Sequence, residues 1–171
     1  REAHHRHSTA TTRFEALALS LRRSDATGAL LEAGTVGLLG ALPERLHVAD
    51  GWEVAIAAHL GALADAAVAE SIDGAVDAIR AAREGELGAV RLVVASSAPG
   101  PEPGPPPDGA TWARDVVTCD GAVAGTVADL LEGVVLVEDL ADARAVLAAQ
   151  RGLVAVTRAG DLLAGTRAAG G

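Results

Sequence analysis

The second half of this chain repeats the first at a constant spacing, and that repeat limits the folds open to it more than any other feature. At an offset of 68 residues, Leu63 aligns with Leu131, Val68 with Leu136, Ala69 with Val137 and Glu70 with Glu138. Farther on, Ile72 matches Leu140, Ala75 matches Ala143 and Ile79 matches Leu147. Both windows read helix, valine-rich strand, cap, helix, strand, with Ser71 as the first cap and Asp139 as the second. The register slips only after the second helix, where the strand at residues 153–157 arrives about five residues sooner than residues 90–95 would predict.

A strand, a helix and a strand close most readily as a right-handed crossover with parallel strands. Two such units predict an α/β (α+β) chain of two similar small β-α-β subdomains, each with its own sheet and unpaired edges that a second copy can cover. Between them, residues 98–109 read APGPEPGPPPDG and hold six of the seven prolines. Proline fixes φ and lacks an N–H, so this stretch forms neither helix nor ladder. It reads as a stiff spacer; the same polyproline character also suits a proline-recognising partner. The organisation is then a polar tail and helical stub (1–33), a first subdomain (34–97), a linker (98–110) and a second subdomain (111–171).

Local signals fill in the elements. Over residues 12–32, Phe14, Leu17, Leu21, Leu30 and Leu31 fall near helical spacing, which predicts an amphipathic helix weakened by Gly28 and suited to the stub of a coiled coil. Asp50 followed by Glu53 reads as a cap for a helix that sets Trp52, Ile56 and Leu60 on one face and ends at Gly61. Residues 64–69 read as a strand. Ser71 then caps a helix with Ala75, Val76, Ile79 and Ala82 as its apolar stripe, and residues 90–95 form a strand buried on both faces if parallel. Near the end, residues 154–157 read as a strand, residues 158–161 as a tight turn around Gly160, and residues 161–163 as a returning strand. Gly165, Gly170 and Gly171 follow among small residues, a stretch that is either floppy or able to bring two backbones together.

Composition narrows the functional classes. Half of the residues are apolar, enough for a substantial core, and no run of eighteen apolar residues is present. The first seven residues are basic and polar and lead into no apolar block, unlike a secretory signal; with no Met anywhere, the chain reads as a segment of something longer. Cys119 is the only cysteine, so no internal disulfide forms, a reducing cytosol is the simplest setting, and the thiol reads as small filler rather than a nucleophile. A net charge of −9 disfavours strong binding to a phosphate backbone. The last 29 residues differ, with Arg144, Arg151, Arg158 and Arg167 against Asp161 alone.

Catalytic patterns are missing: the sequence has no G-x-S-x-G, H-E-x-x-H, C-x-x-C or Walker loop, so no enzyme, cofactor or metal is expected. His4, His5 and His7 have the right atoms for a metal but sit in a polar terminus, and His47 and His59 read as isolated structural histidines. Gly34, Gly37 and Gly40 of GTVGLLG lack the spacing and the preceding strand of a phosphate loop. A turn is the simpler reading, and a small nucleotide- or ligand-binding domain is the alternative. Glu70, Asp73, Glu138, Asp139 and Asp142 stand at helix starts, where they complement the helix dipole.

Four groups of residues together resemble one family: Gly37 and Gly40; Gly51, Trp52, Glu53 and Ala55; Val156, Thr157 and Gly160; and the closing Gly170 and Gly171. In order and spacing, over residues 35–171, they resemble the hinge of bacterial structural-maintenance-of-chromosomes (SMC) ATPases of condensin type. Three departures stand out: the tail after Asp161 is one residue short, Thr166 and Arg167 stand near an expected glycine, and Ala169 replaces a frequent threonine. The resemblance implies a homodimer joining two coiled-coil arms, with no ATPase in this segment, and a cytoplasmic, nucleoid-associated protein that meets other subunits through its full length. It also implies a DNA gate with weak DNA contact, for which Arg151, Arg158 and Arg167 are the candidates. The dimer interface is expected at Gly160, Leu162, Leu163, Gly165, Gly170 and Gly171, so that replacing Gly170 and Gly171 by glutamate should give monomers.

Overall fold

The computed structural model describes residues 25–98 and 100–171. In chain order the first half holds α1 (Ala26–Glu32), β1 (Leu38–Ala41), β2 (Leu46–Val48), α2 (Glu53–Leu60), β3 (Ala67–Ala69), α3 (Ile72–Glu84) and β4 (Leu92–Val94). The second holds β5 (Thr111–Trp112), β6 (Val117–Cys119), α4 (Ala124–Leu130), β7 (Val134–Val137), α5 (Leu140–Ala149), β8 (Val154–Thr157), β9 (Leu162–Ala164) and β10 (Ala168–Ala169). The two strand–helix–strand units stand where the repeat predicts them. β3 and β4 run parallel with Val68 opposite Val93, and β7 and β8 run parallel with Leu136 opposite Val156. The second strands are therefore 63 residues apart where the first are 68, which is the slip seen in the sequence. Ser71 Oγ accepts the Gly74 N–H at 3.1 Å and Asp139 Oδ1 accepts those of Ala141 and Asp142 at 2.8 and 3.0 Å, so both caps form as expected.

The sheets have strand orders β1-β3-β4 and β10-β9-β8-β7-β5, and a third, two-stranded ribbon joins the halves. In it β2 runs antiparallel to β6, with Leu46 opposite Cys119, His47 opposite Thr118 and Val48 opposite Val117. Residues equivalent in the two halves here lie 71 apart, so the His47 and Thr118 pair sits on a pseudo-two-fold axis. The helices exchange across it. α2 of the first half packs on β8 of the second, and α4 of the second meets the end of β4. One hydrophobic cluster spans the halves, with Leu42, Ile56 and Val68 from the first and Val127, Leu136 and Val156 from the second, and a smaller cluster lies within each half. The two predicted units are present and are joined by more than the proline-rich linker, since the ribbon and the exchanged helices give each half a share in a common cluster.

Several local expectations change for physical reasons. Asp25 has non-helical φ and ψ of −113° and 67° and its carboxylate accepts the Gly28 N–H at 3.1 Å, so α1 starts there and no continuous helix spans residues 12–32. Phe14, Leu17, Leu21 and the His4, His5 and His7 group lie outside the described residues. At α2 the N-cap is Trp52 rather than Asp50, while the Glu53 carboxylate reaches back to the Gly51 N–H at 2.8 Å. The Trp52, Ile56 and Leu60 face does meet the core, and Gly61 caps the helix end.

α3 buries Gly74, Ala78 and Ala82, whereas Val76 and Ile79 are 39% and 38% exposed. The buried side carries small residues because Ala26 and Leu30 of α1 pack against Ala78 and Ala82. The backbone of Gly37 comes so close to Gly74 that a Cβ there would lie 3.1 Å from the Gly37 carbonyl oxygen. In β4 only Val93 is buried, since this strand is an edge and not the centre of a sheet. The proline-rich segment is strapped down: Trp112 Nε1 donates to Gly104 O at 2.8 Å and Arg114 Nη1 to Pro101 O at 2.9 Å.

One shared core should unfold in one step. Trp52 and Trp112 sit in different clusters, so in each single-tryptophan variant the fluorescence of the remaining tryptophan and the far-ultraviolet circular dichroism are expected to give the same urea midpoint. Leu136→Ala should lower both midpoints together, at a cost of about 2–5 kcal/mol. Separate midpoints would mean two independent units.

Candidate functional site

Strand parity decides which backbone groups each edge offers. Ala67 N–H donates to Arg91 O at 3.0 Å and Ala95 N–H to Ala69 O at 2.8 Å, so residues 91, 93 and 95 of the β4 segment face β3. Leu92, Val94 and Ser96 consequently turn their N–H and C=O groups outward. In the second half the matching side of β8 is covered by β9, with Val154 opposite Ala164 and Val156 opposite Leu162. Among the described residues, no strand takes that place beside β4.

The other end of the chain offers the complement. Among the described residues β10 pairs only with β9, and Ala164 N–H donates to Arg167 O at 2.9 Å, so alternation turns Ala168 N–H and C=O away from β9. Ala168 and Ala169 are exposed and their methyl groups do not shield the backbone. An open short edge on the first half and an open short edge on the second thus lie in every copy.

The residues expected at an interface divide. Gly165 and Gly171 are exposed, with open space where a Cβ would point. Gly160 instead serves its own chain, because a Cβ there would lie 3.0 Å from Val54 Cγ1 on α2. A Cβ on Gly170 would run into the Asp161 carboxylate, so glutamate at that position disturbs the turn before it disturbs a partner. Leu162 is 8% exposed and belongs to the shared core, and Leu163 packs on the cluster around Val135 and Ala155. Leu92, Val94 and Ala168 were missed; the signal for them is backbone parity, which side-chain type does not reveal.

Arg158 is committed inside the chain. Its Nε and Nη2 donate to the two Glu138 carboxylate oxygens at 2.8 and 2.6 Å, its Nη1 donates to Gly51 O at 3.1 Å, and its guanidinium lies 3.9 Å from the Trp52 ring centroid. It is a clip between the halves rather than a free cation. Hydrogen bonding from Arg158 holds the Glu138 carboxyl below its usual range, against a smaller opposing effect of desolvation, and Glu138 in turn raises Arg158. Arg151 and Arg167 are exposed and form no ion pair among the described residues.

Remaining candidates fall to structural roles. Burial, and then the nearby Asp120 charge, push the Cys119 thiol up, the opposite of an activated nucleophile. His59 Nε2 lies 2.8 Å from Leu130 O and ties α2 to α4. Gly34, Gly37 and Gly40 take positive φ; the first two precede β1 and Gly40 lies within it, so a strand stands where a phosphate loop would need a helix N-terminus.

This fold, two pseudo-symmetric halves with open edges, is that of a hinge domain. Residues 35–147 match the family described as SMC proteins Flexible Hinge Domain, and the chain belongs to it. It is 36% identical over 173 residues to the chromosome partition protein Smc of Mycolicibacterium paratuberculosis and 34% identical over 165 residues to that of Mycobacterium tuberculosis. Those alignments cover 100% and 93% of this chain and 14% of each relative, so the chain spans about one seventh of their length. The Pyrococcus furiosus SMC protein hinge domain superposes with a TM-score of 0.72 at 26% identity, covering 89% of this chain and 82% of that one. An asymmetric dimer of the Geobacillus stearothermophilus SMC hinge domain gives 0.73 at 24% identity, covering 97% and 75%, a likeness of fold.

Arg158→Leu should expose the value of the clip through pH. Because the folded Glu138 carboxyl is lowered, its contribution is fully present above the ordinary carboxylate range and is lost as pH falls through the lowered value. The wild type should therefore melt above the variant at neutral pH, and the gap should narrow in acid. A gap independent of pH would assign the clip to the stacking on Trp52 and the bond to Gly51 O rather than to Glu138.

Proposed function

We propose that this chain is a self-association hinge, in which β4 of one copy takes up β10 of another and the two-fold axis repeats the joint. The carrying observation is the comparison of halves: the second half covers β8 with β9, whereas among the described residues no strand pairs on the same side of β4 or on the outer side of β10. Strand addition supplies main-chain hydrogen bonds, and small residues at the joint let backbones approach. Because each copy carries both edges, two joints close a dimer with no edge left to propagate. In a longer protein of this family, such a dimer would hold two coiled-coil arms together and serve a chromosome-partition ATPase of the cytoplasm and nucleoid. The DNA gate and contacts with other subunits belong to that longer protein.

Sedimentation across concentration tests the reading. The wild type is expected to move from monomer to dimer as concentration rises. Ala168→Pro removes an outward N–H without touching the β9 ladder, and should weaken association by about tenfold or more. A monomer at every concentration would remove the proposal, and unchanged association in Ala168→Pro would move the joint elsewhere.

The DNA contact, on this reading, is weak and limited to Arg151 and Arg167, since Arg158 is engaged and the net charge is −9. Four such cations per dimer should give a log affinity against log salt slope of about −4 on duplex DNA. Arg151→Ala with Arg167→Ala should abolish it; binding that survives the pair of substitutions would assign the contact to other residues.

A further inference from the structure

Thr126 belongs to α4 in the second half, yet its hydroxyl sits on the edge of β4 in the first. Oγ1 donates to Val94 O at 2.7 Å and accepts from Ser96 N–H at 3.0 Å. The Gly125 N–H adds a bond to Ser96 O at 2.7 Å. These three are the last outward groups of the strand, the ones a neighbouring strand would bond. Thr126 is 8% exposed, so water is largely kept from replacing it. Leu92 N–H, Leu92 C=O and Val94 N–H are left without a partner among the described residues.

The halves supply an internal control. The residue equivalent to Thr126, 71 positions earlier, is Ala55 on α2, which has no hydroxyl. There the corresponding strand β8 is already covered by β9. The hydroxyl is present where the covering strand is missing. The helix also has to come close: a Cβ on Gly125 would lie 2.6 Å from Ser96 Oγ, so only glycine lets α4 reach the edge.

We propose that Thr126 is a register stop: its hydroxyl stands in for a strand at the C-terminal end of β4 and confines an added strand to the open groups of Leu92 and Val94. This rests on the reading of β4 as the self-association edge and adds the residue that fixes the alignment of the joint. An edge without such a stop allows slippage, which for a two-residue strand such as β10 would exchange the faces of its side chains. The second half cannot make the same stop, so the asymmetry between Thr126 and Ala55 distinguishes the edge that accepts a strand from the one already filled.

Site-resolved hydrogen exchange on the intact chain, at dilute and concentrated protein, tests this. In the wild type, Val94 and Leu92 amides should gain about tenfold or more protection as the dimer forms, while Ser96, bonded within the chain, should be protected equally at both concentrations. Thr126→Val should lose the Ser96 protection in dilute protein and make it concentration-dependent, because the partner strand can now extend to it; Thr126→Ser should restore wild-type behaviour. A Ser96 amide that is concentration-dependent in the wild type, or one unaffected by Thr126→Val, would overturn the stop. If sedimentation shows a dimer but Leu92 and Val94 do not respond, the edge and the stop fail while self-association stands. If no dimer forms, both readings fall.

Discussion

Everything in this fold depends on the antiparallel ribbon of β2 and β6, through which each half borrows the other's hydrophobic surface. The pairing of His47 with Thr118 on the pseudo-two-fold axis sets α2 over β8 and α4 beside β4. Each half buries a small cluster of its own, and Leu42, Val68, Leu136 and Val156 meet in the cluster that the halves share. The exchanged helices are then pinned by polar contacts between the halves. His59 reaches Leu130 O, Thr126 reaches Val94 O, and Arg158 bridges Glu138, Gly51 and Trp52.

That arrangement is symmetrical in its core and asymmetrical at its rim. The second half extends its sheet with the β9–β10 hairpin, whereas the first half leaves β4 for the proline-rich strap. The duplicated unit thereby ends its sheets differently, with β4 at an edge in the first half and β10 at an edge in the second. The strap is anchored by Trp112 and Arg114 to carbonyls at Gly104 and Pro101, so its path away from β4 is fixed.

The glycines show how one residue type serves different ends. Gly170 and Gly160 are glycines because Asp161 and Val54 of the same chain occupy the space, whereas Gly165 and Gly171 face open solvent. A glycine-rich tail is legible in sequence as a place of close approach. Which approach is internal and which is left for a partner depends on neighbours far away in the chain, such as Val54 on α2.

Sequence alone determined the repeat, the parallel β-α-β units, the helix caps at Ser71 and Asp139, and the hairpin turn at residues 158–161, because each rests on local periodicity or on side chains within a few positions. It misjudged the α3 face, since Val76 and Ile79 are apolar by type while the close approach of α1 favours Ala78 and Ala82. Tertiary structure alone decided that the halves share a core cluster, that Arg158 is a clip and that Leu162 is interior, because those outcomes depend on residues far apart in the chain, such as Arg158 and Gly51, 107 positions apart. The free edges were likewise hidden, since hydrogen-bond parity is a property of the backbone and is fixed only when a strand knows its neighbour.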